Sequence, residues 1–220
     1  MKTVLFIPIK LNNQRLPGKN LRLLYGKPLC NYIFETVKQL DFIDEKFVYC
    51  SDDRISSHIP FGIKFLKRST ILDSNNTKGT EIIEKFIYDV SADVYVLAHV
   101  TQPFTKASSI NTALKKVLNK GYDSAFSAIE LQDYCWYKDK PLNYSLDNLV
   151  TTQNLEPVYI ETGAFYIFKR TVFEALHRRI GNNPYMHIVD EFEKIDIDTE
   201  KDFLFAEAVA EYLAKYKENQ

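Results

Sequence analysis

The sequence predicts an α/β fold, a mostly parallel sheet with helices on both faces. Three observations lead there. Short apolar runs alternate with segments whose apolar residues recur every three or four positions. The runs are rich in β-branched and aromatic residues, as buried strands are. The alternation continues through most of the 220 residues, a pattern that folds into strand–helix–strand units around one sheet.

TVLFIPI, residues 3–9, is bounded by a polar loop and reads as the first buried strand. After Pro28, the residues Leu29, Ile33, Val37 and Leu40 fall at helical spacing. EKFVYCS and the shorter IKFLKR follow as strands, residues 80–90 (TEIIEKFIYDV) as a helix, and DVYVLAHV as another fully apolar strand. Ile110, Leu114, Val117 and Leu118 mark a further helix, with Gly121 placed to end it. DSAFSAIEL and AFYIFKR are strands, and VFEALHRR is a helix. EKIDID has a strand-like context and runs into a last helix, which Thr199 and Asp202 would start as a capping box before a polar tail after Lys215.

The length and the 45% hydrophobic content fit a single domain, residues 1–220. The stretch from about Glu130 to Pro157 breaks the pattern: it is polar, aromatic-rich and without a period. It reads either as an inserted lid or dimerisation arm or as a plain long loop. A formal net charge of -1 and a pI near 6.4 argue against a nucleic-acid binder. No apolar run approaches the roughly 18 residues of a membrane span. No signal-type segment follows the N-terminus, which points to a cytoplasmic protein. Cys30, Cys50 and Cys135 show no metal-type spacing and read as reduced, buried thiols.

Against this neutral background, Lys10, Arg15, Lys19, Arg22 and Lys27 crowd the loop after the first strand. In open α/β sheets ligands bind beyond the carboxyl ends of strands, so this loop is the default site. It lacks GxGxxG, and its GKN fails as a P-loop because Asn13 and Asn20 hold the first-glycine and Ser/Thr positions. What remains is a cation- and amide-rich loop, with a Pro17-Gly18 turn expected to expose Lys19. Such a loop can wrap a triphosphate, or it can be a solvated basic loop with no ligand.

The order of residues adds to this. IPIKLNNQRLPGKNLRLLYGKPL resembles the N-terminal signature of the CMP-sugar-acid synthetases, cytidylyltransferases that activate sialic acid, its bacterial relatives and 3-deoxy-manno-octulosonic acid. The resemblance implies a Rossmann-like fold in which Lys10, Lys19 and Asn20 take the places of nucleotide-contacting residues. Asn12, Asn13 and Gln14 stand where the family usually has Gly, Ser and Lys. CSDD at 50–53, FLKRS with Arg68, and NNTKGTE with Thr77 or Thr80 continue it, although Thr80 also reads as a helix N-cap. In LAHVTQPF, His99 takes the position of the family's base-reading Gln and Thr101 is kept, with Gln102 beside it. In VYIETGAFYIFKR, Glu161, Thr162 and Gly163 fall at the sugar-acid site, with Thr162 where Asn is usual.

IDIDTEKDF matches the family's metal-binding segment and implies Mg²⁺ on Asp196 and Asp198. Strand alternation would turn those two aspartates to one face. The reaction implied is CTP plus a sugar acid giving a CMP-sugar and pyrophosphate, with Lys19, Lys10 and Asp198 catalytic and a homodimer as the working unit. The four histidines supply no zinc set, and no general base is evident. Three rivals stand beside this reading: another acceptor such as a phosphonate, a glycosyltransferase, and a degenerate nucleotide-binding homologue without catalysis.

Overall fold

A computed structural model describes residues 1–218. Seven strands form the main sheet: β1 (Thr3–Ile9), β2 (Glu45–Cys50), β3 (Lys64–Lys67), β4 (Val94–Ala98), β5 (Ser124–Leu131), β6 (Val158–Lys169) and β7 (Pro184–Ile188). Their spatial order is β7-β5-β6-β4-β1-β2-β3. Every neighbouring pair is parallel except those made by β6, which runs antiparallel to both β4 and β5. The helices are α1 (Leu29–Lys38), α2 (Gly79–Asp89), α3 (Ala107–Asn119), α4 (Arg170–Leu176) and α5 (Glu200–Glu218).

The two-residue period of β1 builds both cores. Leu5, Ile7 and Ile9 face α1, α3 and α5 through Ile33, Val37, Leu114 and Phe203. Val4 and Phe6 face α2 and α4 through Ile83, Phe86 and Phe173. Phe86 is the centre of the second core: it stacks on Phe6 at 4.1 Å between centroids and takes the edges of Phe47, Tyr49 and Tyr95. Helices cover both faces, as the sequence predicts.

Several expectations need correction. β7 was not foreseen; it pairs with β5 from Pro184 to Ile188. Residues 195–198 make no strand, although Ile195 and Ile197 still point into the core and the aspartates between them point away. β6 begins at Val158, well before AFYIFKR, and β5 runs to Leu131, so the insertion spans residues 132–157. It folds into a small hairpin, Trp136–Tyr137 against Lys140–Pro141, followed by a 3-10 turn at Thr152–Asn154. Thr80 is not a cap: α2 starts one residue earlier, behind Lys78. The Thr199–Asp202 box does form, with Asp202 accepting from the Thr199 backbone at 2.7 Å. The polar tail continues α5 to Glu218; residues 219–220 lie outside the described residues. Among the described residues, no helix is long and apolar enough to cross a membrane.

Candidate active site

The carboxyl ends of β1 and β4 open on the same side of the sheet. Because β6 runs the other way, its first half (158–164) enters the sheet there too, beyond the Phe165–Ala98 pairing. Four residues, Thr162 to Phe165, stand opposite the single Ser127 of β5. This bulge includes Gly163 at φ 80°, a left-handed conformation that side chains strain to adopt.

The basic loop divides its cations. Arg22 forks onto Glu200 at 2.5 and 2.6 Å and lies 4.0 Å over the Phe203 ring, tying the loop to α5. Lys27 pairs with Glu35 at 2.6 Å. Tyr25 and Gly26 both have positive φ, so the Leu23–Leu24 and Lys27–Pro28 hairpin closes on a type I′ turn. The GKPL segment is therefore architectural. Lys10, Arg15 and Lys19 remain, and they line a cavity of about 370 Å³ with Asn13, Gln14 and Asp198.

Lys19 is buried, not exposed as the Pro17-Gly18 turn suggested. Gly18 takes φ 69° and starts a 3-10 turn that folds Lys19 inward. Its ammonium donates to the Ile197 carbonyl at 2.5 Å and to Asp198 at 3.1 Å. Arg15 reaches the other Asp198 oxygen at 2.9 Å. Asn20 is also buried and donates to the Lys10 carbonyl at 2.7 Å, which fixes the exit of β1. Asn12 is exposed, while Asn13 keeps a buried amide oxygen with no partner. Asn75, which sequence reasoning missed, accepts from Lys10 at 2.9 Å and donates to Gln14 at 2.5 Å. Only the Asn-Asn-Thr composition of its loop signalled it.

Arg68 is buried and pairs with Asp73 at 2.7 Å, and Asp73 also accepts from Ser51. Its Nε and Nη1 have no partner. Buried unpaired donors are rare enough to require a reason. Ser51 and Asp73 line a neighbouring cavity of about 330 Å³ with Leu11 and Asn12. Thr77 closes its own loop on the Ile71 carbonyl.

On the β4 side, His99 Nδ1 donates to the Gly163 carbonyl at 2.6 Å. Burial lowers its pKa below the usual histidine value, with the Arg179 charge adding to this, so the ring is neutral at pH 7 and Nε2 is its acceptor. Gln102 donates to the Thr162 carbonyl and keeps a buried, unpaired amide oxygen. Glu161 accepts from Tyr166 and from Arg179 at 3.4 Å; Thr162 donates to Ser127 at 2.7 Å. Glu161 and Thr162 line a second cavity of about 370 Å³ together with Asp196, Ile160 and Phe205. The two aspartates of IDID thus face different cavities: Asp198 the basic one, Asp196 this one. Burial and the nearby Asp198 charge raise the Asp196 pKa, against a hydrogen bond from Thr101.

With this geometry the comparisons decide the family. A profile described as cytidylyltransferase matches residues 4–219. The chain belongs to the cytidylyltransferase family. Within it, the chain is 23% identical over its whole length to an N-acylneuraminate cytidylyltransferase of Streptococcus agalactiae, of which it covers 56%. It spans about half the length of that relative. It is 28% identical to the CMP-N,N'-diacetyllegionaminic acid synthase of Legionella pneumophila, with 96% of this chain and 97% of that protein covered. Among solved structures, a CMP:2-keto-3-deoxy-manno-octonic acid synthetase complexed with CTP superposes at a TM-score of 0.69 and 17% identity, covering 96% of this chain and 99% of that one. This likeness supports the same fold for this family member.

Proposed function

We propose that the chain transfers CMP from CTP to a sugar acid of the nonulosonic type, releasing pyrophosphate. The observation that carries this reading is the cavity at the end of β1, where Lys10, Arg15 and Lys19 gather beside Asp198 in a nearly neutral protein. Three cations with amide donors suit a triphosphate. Arg68, with two buried donors unused, suits the acceptor edge of a cytosine, and neutral His99 can accept from its amino group. The cavity at Glu161, Thr162 and Asp196, with Gln102 and Gly163 behind it, receives the acceptor.

An acceptor hydroxyl attacks the α-phosphorus in line as the bond to the β-phosphate oxygen breaks, its proton passing to solvent and the electron pair of the broken bond leaving with pyrophosphate. Lys19 and Lys10 hold the departing pyrophosphate and offset its growing charge. Binding on two sides of the 195–198 segment brings the partners together, which is itself a large part of the rate enhancement.

Asp198, in the cavity with Lys10, Arg15 and Lys19, is the carboxylate proposed to hold Mg²⁺ beside the phosphates, with Asp196 two residues away on the neighbouring cavity. Among the described residues no group of three or more His, Cys, Asp or Glu could hold a metal, but Mg²⁺ commonly takes one or two carboxylates plus waters and phosphate oxygens. The raised Asp196 pKa reflects a burial and charge repulsion that a divalent cation would relieve. Bound there, Mg²⁺ supplies charge neutralisation on the phosphates.

The insertion at 132–157 exposes Trp136, Tyr137, Leu142 and Leu146. Aromatics are enriched at interfaces, so this arm is proposed as the contact of a homodimer. A cytosolic setting fits the three free cysteines. The test is pyrophosphate release with CTP, UTP and ATP across a panel of sugar acids with and without Mg²⁺. Release confined to CTP with a nonulosonic acid supports the reading, and no release with any acid overturns it.

A further inference from the structure

Glu193 is a buried carboxylate, 2% exposed, to which the proposed chemistry gives no task. Carboxylates are almost never buried to this degree without a paired charge. Among the described residues no ion pair within 4.0 Å joins it to a cation. Its two oxygens instead accept from the Lys106 backbone N–H at 2.8 Å and the Ser109 hydroxyl at 2.9 Å, both at the start of α3. A local Ser, Thr or Asp at position 106 could cap α3 more simply. The chain has Lys106 there, whose side chain caps nothing, and takes the cap from 87 positions away.

The purpose of this long reach follows from what lies on either side. Residues 190–198 belong to no strand, so no sheet ladder fixes them. They run beside residues 101–109, and ties from Asp190, Glu193, Asp196 and Ile197 hold the two segments together, that of Asp196 being its hydrogen bond from Thr101. Asp190 pairs with the Lys106 ammonium and also accepts from the Phe192 and Glu193 backbones at 2.9 and 3.0 Å. Glu193 follows with its two bonds. Further along, the Ile197 N–H donates to the Thr101 carbonyl at 2.8 Å. One segment carries Asp196 and Asp198, and the other carries Thr101 and Gln102.

We propose that Glu193 is a positioning residue, tying the Asp196–Asp198 segment to the first turn of α3 and so setting its distance from Thr101 and Gln102. This rests on the cytidylyl-transfer reading above. Glu193 itself touches none of the residues assigned to nucleotide, acceptor or metal; it acts through the backbone of its segment.

The test contrasts two substitutions in the full chain. Glu193→Gln can keep both bonds, its carbonyl accepting from Lys106 N–H and its amide donating to Ser109, so kcat should stay within about twofold of the parent. Glu193→Ala removes both ties and should lower kcat about tenfold or more. Mn²⁺ affinity in the presence of CTP, followed by electron paramagnetic resonance, should weaken in the alanine variant alone. If Glu193→Ala melts lower yet keeps the parent's kcat and Mn²⁺ affinity, its role is structural and the proposal falls. If Gln loses as much as Ala, the charge matters and positioning is overturned. Should Glu193→Ala not fold, Glu193→Asp, one methylene short, takes its place with the same expected split. A parent that releases no pyrophosphate defeats the cytidylyl-transfer reading alone, and Glu193 is then judged by Mn²⁺ affinity; a parent that binds no Mn²⁺ defeats the proposal as well.

Discussion

Lys19 and Ile197, 178 positions apart, are joined by a 2.5 Å hydrogen bond from the ammonium to the backbone carbonyl. The same ammonium holds Asp198, so one buried lysine couples the first loop of the chain to the segment before its last helix.

Lys19→Ala is therefore expected to cost both activity and stability. Loss of charge-assisted hydrogen bonds at a buried site removes about 1.5–3 kcal/mol. Loss of a cation on the leaving group lowers turnover by about 10²-fold or more. Chemical denaturation and pyrophosphate release measured on the same sample check the two effects.

Asp196 and Asp198 separate in a different way. Asp198→Asn releases Arg15 and Lys19 from their shared carboxylate, so the melting temperature should fall by a few degrees as Mg²⁺-dependent release is lost. At Asp196 the asparagine removes a charge that desolvation and the neighbouring Asp198 disfavour, so the melting temperature should hold or rise while release is lost. Full activity in both variants sinks the metal assignment.

Arg22 tests the division of labour among the cations. Its half-exposed fork to Glu200 and its contact with Phe203 together contribute about 1 kcal/mol. Arg22→Ala should lower stability by about that much and leave KM for CTP unchanged, whereas Arg15→Ala should do the reverse.

His99 gives a pH signature. Its folded pKa lies below the ordinary 6.5, so in acid the unfolded chain takes up a proton that the folded chain refuses. Stability should fall as pH drops from about 6.5 towards the lowered value, and His99→Gln should remove part of that slope. Burial lowers His187 in the same direction, so part of the slope remains. Urea melts between pH 7.5 and 5.5 measure the difference. With a glutamine restored at this position, CTP turnover should persist.

The fold was largely legible because its information is local: β1 and β4 are near-continuous apolar runs, β2 ends in one (FVYC), and α1 and α3 carry clear helical periods. β7 was missed because PYMHI is short, opens on a proline and is interrupted by His187. Ile195 and Ile197 point inward as the alternation suggests, because core packing alone imposes it, but without a strand Asp196 and Asp198 do not share one face and open on different cavities. The burial of Lys19, the pairing of Arg22 with α5 and the span of Glu193 were not legible. Each depends on a partner many tens of residues away, and a charged residue in sequence looks the same whether solvent or a distant carbonyl receives it. The basic loop stands out in the sequence as a candidate site, but only the folded chain separates Lys10, Arg15 and Lys19, which line the cavity, from Arg22 and Lys27, which pair with Glu200 and Glu35.

The reversed direction of β6 has a consequence for redesign. A parallel strand would deliver its first residues to the opposite end of the sheet, yet here the insertion at 132–157 feeds directly into Glu161, Thr162 and Gly163 at the site. Glu161 and Thr162, proposed to meet the acceptor, thus follow the insertion directly along the chain, whereas Lys10, Arg15, Lys19 and Arg68, proposed to grip the nucleotide, come from the first 80 positions. Exchanging residues 132–163 with those of a homologue should shift acceptor preference and leave the proposed CTP cradle of Lys10, Arg15 and Lys19 unaltered.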